Sequence, residues 1–390
     1  MNVCYVANGI DLKNKKDGGD VHVYNVLVNL KRFCDNVYFV NSLFRPSLNI
    51  LREYGIEEIK VYECFQLIGF GRFMPGLYDL HTYFRLRSLV KDIDVFHQRY
   101  YPAGISVSKM SREYKIPFVL ELPTIRTSEL EMLGMRKAKK HAEKYEEFIF
   151  NSAHKILFLS EKIREYVLSK GVDDEKVEIT HVGVDTNRFN PDVDGSAIRK
   201  RFDLTGPVVL FLGCYVPWQG VRDLPEIVRY TVGKNKEIKF LFVGDGPLRN
   251  EIETKIKVLG LENHVIFTGR VDYDDVPKCM AVSDVCISPL PKGYITFPIK
   301  IFEYMASGKP IIVTGEGEVN RILENRKNAL LIKPEDLEGF ADGIIECVQN
   351  KELSNKISEN ALKEVRERYT WNAKARRLIE IYSDLIARVR

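Results

Sequence analysis

Short runs rich in Val, Ile and Phe alternate with longer stretches of helical spacing along this chain, and the pattern occurs twice. The first set is Val3–Ala7, Val37–Val40, Ile59–Tyr62, Asp94–His97, Phe118–Leu122 and Ile156–Leu159. A strand covered by helices on both faces needs apolar residues on both, so near-continuous runs predict parallel sheets rather than half-exposed antiparallel ones. The rhythm stops in the turn formers of Asp185–Gly195, which read as an inter-domain linker, and then restarts. Val208–Leu212, Lys239–Val243, Val265–Thr268, Asp284–Ser288, Pro310–Val313 and Ala329–Ile332 form the second set. An α/β chain of two Rossmann-like domains facing each other across a cleft is the expected architecture. Its 390 residues suit this, since a domain takes about 150.

Composition narrows the function. Hydrophobic residues at 45% and charged residues at 29% exclude a disordered or fibrous chain. A formal net charge of +4 is too small and too dispersed to imply nucleic acid, so an anionic partner has to be read locally. The seven cysteines (Cys4, Cys34, Cys64, Cys214, Cys279, Cys286, Cys347) include no C-x-x-C pair, which fits reduced thiols rather than a disulfide frame or a zinc site. The chain enters a strand at Val3 with no basic, apolar leader, and no run reaches the ~18 apolar residues of a membrane span. A cytoplasmic protein is expected.

In doubly wound sheets ligands sit outside the carboxyl ends of the strands, so informative residues should follow strands directly. Gly18-Gly19, after a long loop, opens a helical stretch and suits close approach of an anion to backbone N–H groups; a plain glycine turn accounts for it equally. The spacing is not G-x-G-x-x-G, and the nearest imitation, Gly69–Gly76, opens no helix. In the second half, Pro298–Ser307 reads as a short helix with Pro at its first position and Gly308 past its end. Its N-terminus would favour a diphosphate, each exposed charge contact adding ~0.3–1 kcal/mol. Glu303 can accept two hydrogen bonds from a ribose diol, or pair with Lys300 three residues earlier as a surface salt bridge.

Seven segments in order then carry a resemblance: Asp17–Asp20, Asp94–Gly104, Ile179–Phe189, Phe211–Gly220, Val243–Leu248, Phe267–Val271 and Ile299–Pro310, closed by Tyr369-Thr-Trp-Asn372. Together they resemble the family 4 retaining glycosyltransferases of GT-B fold. The resemblance implies an acceptor domain over residues 1–187, completed by a last helix at 373–390, and a nucleotide-sugar donor domain over 188–372. It implies transfer of a hexosyl-type group from a nucleotide-diphosphate sugar to a glycan or lipid-linked hydroxyl as the cleft closes. Carried across, Val271 would offer its backbone to the nucleobase, Glu303 its carboxylate to the ribose, and Pro298, Ile299, Gly213 and Gln219 would line the diphosphate. Gly18 and Gly19 would meet the phosphate from the opposite wall.

The sequence departs from the family at the diphosphate. An Arg usually follows the glycine after the strand ending at Leu212, and a Lys stands six residues beyond it; here those positions are Cys214 and Gln219. The first of two paired glutamates is Ile295, with only Glu303 kept. Lys300 is then the candidate to return one positive charge to the phosphates. In the acceptor domain a frequent family histidine is replaced by Arg99, while His97 reads as a strand-end imidazole that could orient or deprotonate an acceptor hydroxyl, or as a satisfied core histidine. Arg99 suits a phosphate on acceptor or donor, with Glu121 ordering that pocket. No side chain presents itself as a nucleophile, which is compatible with the front-face internal return often proposed for this family.

No cofactor or metal is expected. Asp192–Asp194 and Asp272–Asp275 read as turn or cap residues, although Mg²⁺ bridged by substrate phosphates stays open. The basic run from Met132 to Phe148, with the apolar Leu67–Tyr78 stretch, suggests peripheral contact with the inner face of an anionic membrane; a solvated charged face explains the same run. Two rivals remain at this stage: a degenerate transferase acting as a binding or scaffold subunit, motivated by Cys214, Gln219 and Ile295, and a sugar-nucleotide 2-epimerase of the same fold.

Overall fold

The computed structural model describes residues 1–7, 10, 12, 18–41, 51, 54–60, 79, 82–84, 86–100, 104–132 and 134–389. Asp17, Val61, Tyr62, Cys64, the Gly69–Gly76 run and the Leu67–Tyr78 stretch lie outside them. The chain divides into two compact units, residues 1–182 with 371–390, and residues 183–370.

The first unit holds a seven-stranded sheet. Its strands are β1 (Asn2–Val6), β2 (Asn36–Asn41), β3 (Glu57–Lys60), β4 (Val95–Arg99), β5 (Phe118–Leu122), β6 (Lys155–Phe158) and β7 (Val177–Ile179), in the order β3-β2-β1-β4-β5-β6-β7. Every pairing is parallel. β7 is absent from the sequence expectation because Val177-Glu178-Ile179 is too short and too polar to register as an apolar run. In β5 all five residues are buried, the consequence of cover on both faces.

The second unit holds β8 (Val208–Leu212), β9 (Lys239–Val243), β10 (Val265–Gly269), β11 (Val285–Ser288), β12 (Ile311–Thr314) and β13 (Leu330–Ile332), in the order β10-β9-β8-β11-β12-β13, again all parallel. Phe211, Phe240, Phe242 and Phe267 form a chain of rings, with centroids 5.5–6.1 Å apart along Phe240–Phe242–Phe267 and Phe211–Phe242. That chain runs through a core completed by Val209, Ile287, Ile312 and Ile344.

Each sheet reverses its strand order once, between β1 and β4 in the first unit and between β8 and β11 in the second. At such a point successive connections leave for opposite faces, and the loops beyond the carboxyl ends leave a crevice. Arg99 lies beside the first of these points and Gly213 and the segment leading to Lys300 beside the second, whereas Val271 follows the edge strand β10. The helix Trp371–Val389 belongs to the first unit, where Trp371 meets His22 edge-on at 5.3 Å between ring centroids.

Candidate functional site

Beyond β8 the chain turns at Gly213, whose N–H is held by Val243 O at 3.0 Å, and runs through a 3-10 turn at Pro217–Gln219. Gly220 ends that turn with φ +66°, and a Cβ there would fall 1.4 Å from Pro289 O. Only glycine lets this loop press against the end of β11, and the pressing sets Gln219 in place. On the other side of the reversal, the segment after β11 leads into the helix Ile299–Ala306. Pro298 precedes this helix as its extended cap residue (φ −75°, ψ 125°) instead of occupying its first turn, a one-residue correction to the expectation. Gly308, with φ +63°, takes the left-handed position past the helix end. Leu212 N donates to Tyr304 Oη at 3.0 Å, which ties the helix to β8.

Two ionisable side chains on this helix are buried, Lys300 and Glu303, each 6% exposed. Lys300 Nζ donates to Gln219 Oε1 at 2.8 Å and lies 4.4 Å from the Phe211 ring centroid. A Cβ on Gly213 would stand 3.2 Å from that ammonium, so the bare glycine leaves the space beside it. Burial pushes the Lys300 ammonium down to about 7, against the pull of Cys214 and Glu303. Glu303 Oε1 accepts from Tyr273 Oη at 3.4 Å. Burial pushes its carboxyl up to about 7, opposed by the Tyr273 hydroxyl and by the charges of Arg188 and Lys300. The surface salt bridge considered from sequence does not form: both groups are buried, and among the described residues neither lies within 4 Å of an opposite charge.

Val271 lies two residues past the end of β10, and Ile299 opens the helix. The amide of Ile301 is already taken by Pro298 O at 3.1 Å. Cys214 is exposed next to Gly213, whereas Cys4, Cys34, Cys279, Cys286 and Cys347 are buried free thiols.

In the first unit the reversal point is filled by a buried ionic cluster. Arg99 on β4 stands opposite Glu121 on β5, and Arg99 Nη1 lies 3.6 Å from Glu121 Oε2. Glu121 Oε2 also accepts from Tyr5 Oη at 2.9 Å and from His22 Nε2 at 3.0 Å, and Glu121 Oε1 lies 3.3 Å from Lys374 Nζ. Burial works to raise the Glu121 carboxyl, but the cation and histidine neighbours outweigh it and hold it well below the usual range. Burial pushes His22 down to about 4, so its neutral ring donates through Nε2.

His97 corrects the expectation of a strand-end imidazole. β4 continues to Arg99, His97 has no exposed surface, its Nδ1 is bonded to Tyr382 Oη, and Tyr5 packs on its ring at 4.6 Å. Burial lowers its basicity. The geometry is that of a core histidine holding the closing helix, with Arg99 as the more accessible neighbour, its side chain 17% exposed. Gly18 and Gly19 open the helix Gly18–Leu30, one turn ahead of His22.

The acidic runs are engaged locally. Asp194 accepts from Ser196 N and Oγ at 2.8 Å each, Asp274 pairs with Arg188, and Asp275 pairs with Lys278 at 2.7 Å. Among the described residues no three His, Cys, Asp or Glu side chains gather as a metal would require. Sequence reasoning missed Tyr5, His22, Lys374 and Tyr382 around Glu121, and Tyr273 and Arg188 beside Glu303. Only Tyr273 left a signal, an aromatic residue two positions after Val271.

The pattern described as Glycosyltransferase Family 4 matches residues 16–188, and that described as Glycosyl transferases group 1 matches residues 196–364. Alpha-D-kanosaminyltransferase of Streptomyces kanamyceticus is 24% identical over 71% of this chain and 72% of its own length. Mannosylfructose-phosphate synthase of Agrobacterium fabrum is 24% identical over 73% and 67%. Among solved structures, Anabaena Alr3699/HepE in complex with UDP and glucose superposes with TM-score 0.77 at 18% identity, covering 98% of this chain and 99% of its own. Sucrose-phosphate synthase from Thermosynechococcus elongatus superposes with TM-score 0.82 at 16% identity, covering both chains fully. With the fold and the two matched patterns spanning both units, the chain belongs to the family 4, group 1 glycosyltransferases of GT-B fold.

Proposed function

We propose that the protein is a retaining, hexosyl-type transferase that moves a sugar from a nucleoside-diphosphate sugar to a hydroxyl of a glycan or lipid-linked acceptor. Residues 183–370 hold the donor and the other unit holds the acceptor. One observation carries the reading: a single helix carries two buried ionisable groups, and both are met by neutral dipoles. Lys300 faces the Gln219 amide and Glu303 the Tyr273 hydroxyl. Burying a charge without a counter-charge or full hydrogen bonding is costly, so Lys300 awaits an anion and Glu303 awaits hydrogen-bond donors from a ligand. The two side chains are three residues apart, about 4.5 Å along the helix axis, a spacing on the scale of the step from a nucleotide's phosphates to its ribose.

In this reading Lys300, with the amides of Ile299 and Lys300 and the loop of Gly213 and Gln219, takes the diphosphate; Glu303 takes the ribose; and the Val271 backbone takes the nucleobase. As the sugar's bond to the diphosphate breaks, negative charge grows on the leaving oxygens, and preorganised donors there stabilise it by as much as ~2.7–4 kcal/mol each. The acceptor oxygen bonds to the same face of the anomeric carbon, and its proton passes to the departing diphosphate. No side-chain nucleophile is required, and no cofactor enters. Arg99 serves an anionic group of the acceptor or donor, steadied by Glu121.

Supporting relatives point the same way. The Anabaena structure holds UDP and glucose, and a further structure of it holds UDP-glucose. The test is calorimetry with UDP, GDP and ADP, followed by assay of nucleotide release from their sugar conjugates. Binding of at least one diphosphate with turnover of its sugar is expected. Binding without any turnover, in the presence of acceptor extracts, favours the non-catalytic subunit, and no binding at all defeats both readings. Release of an epimerised donor without acceptor identifies the epimerase.

Peripheral membrane contact is part of the proposal. On the helix Arg136–Ser152, Arg136, Lys140 and Lys144 are exposed at four-residue spacing on one face, and Met135 before it is 51% exposed. Among the described residues no helix is long and apolar enough to cross a membrane. Sedimentation with phosphatidylglycerol vesicles but not with phosphatidylcholine vesicles, reversed by salt, is the expected result.

A further inference from the structure

We propose that Tyr273 is the positioning residue that makes this site read ribose against deoxyribose, by fixing the carboxylate of Glu303. The inference rests on the proposed donor role of residues 183–370. The Asp185–Gly195 stretch, expected as an inter-domain linker, belongs to the second unit, which begins at Gly183. The Asp185 carboxylate accepts from Asn187 N at 3.0 Å and Arg188 N at 3.3 Å, a local turn that sets the direction of the two residues after it. Arg188 then lays its guanidinium over the Tyr273 ring, 4.7 Å from the centroid, and pairs with Asp274. Phe189, fully buried, meets the same ring edge-on at 5.9 Å. The ring is therefore clamped on two sides by consecutive residues, and a clamped ring carries its hydroxyl in one direction only.

That hydroxyl goes to Glu303 Oε1 at 3.4 Å. A carboxylate only accepts hydrogen bonds and has about four lone-pair sites, so a donor at the outer edge of bonding range orients it without filling it. Glu303 Oε2 takes no hydrogen bond among the described residues. An acceptor held in orientation, with capacity left and little water beside it, matches a pair of vicinal hydroxyls and leaves a deoxy sugar one bond short. The buried Tyr273 hydroxyl also holds its own proton: burial, then the Glu303 charge, pushes its ionisation far above the usual tyrosine range, so it acts as a donor throughout the working pH range.

The experiment compares UDP, GDP and ADP with their 2′-deoxy counterparts by calorimetry, on the wild type, Tyr273→Phe and Glu303→Gln. Phenylalanine keeps the ring that Arg188 and Phe189 grip, and an unchanged melting curve verifies it. For the base that binds best, the wild type is expected to prefer the ribonucleotide by about tenfold or more, as hydrogen bonds to a charged group do. Tyr273→Phe is expected to cut that ratio by roughly threefold or more, with affinity for the deoxynucleotide unchanged, and Glu303→Gln to cut it further. The pH below which ribonucleotide affinity declines should also rise in Tyr273→Phe, because the lost hydroxyl had been lowering the Glu303 pKa. Equal weakening of both nucleotides, or no change, assigns Tyr273 a merely structural part and overturns the inference. A wild type that binds diphosphates without ribose preference overturns it together with the Glu303 role, whereas a wild type that binds none overturns the donor site itself.

Discussion

Lys300 Nζ stands 2.8 Å from Gln219 Oε1, so the end of a helix side chain and the end of a loop side chain from 81 positions earlier occupy adjoining places. The positive charge of this pocket therefore has two backbone positions from which it can be supplied.

That contact makes charge transposition a test. Lys300→Met is expected to weaken nucleoside diphosphate binding by about ten- to a hundredfold, the value of a charge-assisted hydrogen bond, while leaving the free nucleoside unaffected. The double variant Gln219→Lys with Lys300→Gln should recover most of the loss, because the ammonium returns within a few ångströms of its original place. Calorimetry on the three proteins decides it, and equal losses in the single and double variants would place the phosphates elsewhere.

The pH dependence of donor binding follows from the two groups near neutrality. Lys300 in the empty site has a pKa lowered to about 7, and an arriving diphosphate favours its charged form, so binding is full below that value and weakens as pH rises through it. Glu303 has a pKa raised to about 7, and hydroxyl donors favour its charged form, so binding is full above that value and weakens as pH falls through it. Affinity measured from pH 5 to 9 should trace a bell centred near neutrality. Lys300→Met should remove the alkaline limb and Glu303→Gln the acid limb.

Gly213→Ala places a methyl group 3.2 Å from Lys300 Nζ and 3.4 Å from Gln219 Oε1, on a backbone with φ +155°. A loss of diphosphate affinity is expected because the methyl enters the space beside the ammonium, together with a modest loss of thermal stability from the strained backbone. Gly220→Ala is the contrasting case: its Cβ meets Pro289 O at 1.4 Å, so the loop must move and the second unit should melt at a lower temperature. If the two variants behave alike, the space beside Gly213 has no special part in binding.

Most strands were legible because each is a run of Val, Ile, Leu or Phe long enough to be covered on both faces, as in Val208–Leu212 and Lys239–Val243. Val177–Ile179 was not, since Glu178 interrupts it and its place in the sheet comes from pairing with β6. The helix beginning at Ile299 announced itself through Pro298 and Gly308. Its buried chemistry did not: Gln219 comes near Lys300 through the reversal of strand order between β8 and β11, and Tyr273 reaches Glu303 from beyond the edge strand β10. His97 was ambiguous for the same reason. A histidine at the end of an apolar run looks identical whether it faces solvent or a tyrosine, and Tyr382 lies 285 positions away.

Glu121 is the test of the first unit. Its carboxylate sits among Lys374, Arg99, His22 and Tyr5, and Glu121→Ala leaves two cations without an anion. Breaking a buried pair by removing one partner costs about 3–5 kcal/mol, so the urea midpoint of this unit should fall sharply. With its folded pKa depressed, Glu121 contributes stability above its unfolded pKa, and this is lost as pH falls through the folded value. The wild type should therefore lose stability toward acid more steeply than Glu121→Gln.

The helix Trp371–Val389 supplies Lys374 and Tyr382 to a unit whose other residues end at Val182. On the ribosome the intervening segment is made first, which at about 5–20 residues per second delays that helix on the order of ten to forty seconds. Throughout this interval the nascent amino-terminal sheet carries Glu121 without its lysine and His97 without its tyrosine. The later half of the polypeptide can finish folding while the earlier half still lacks its last helix, the reverse of the usual amino-terminal-first order.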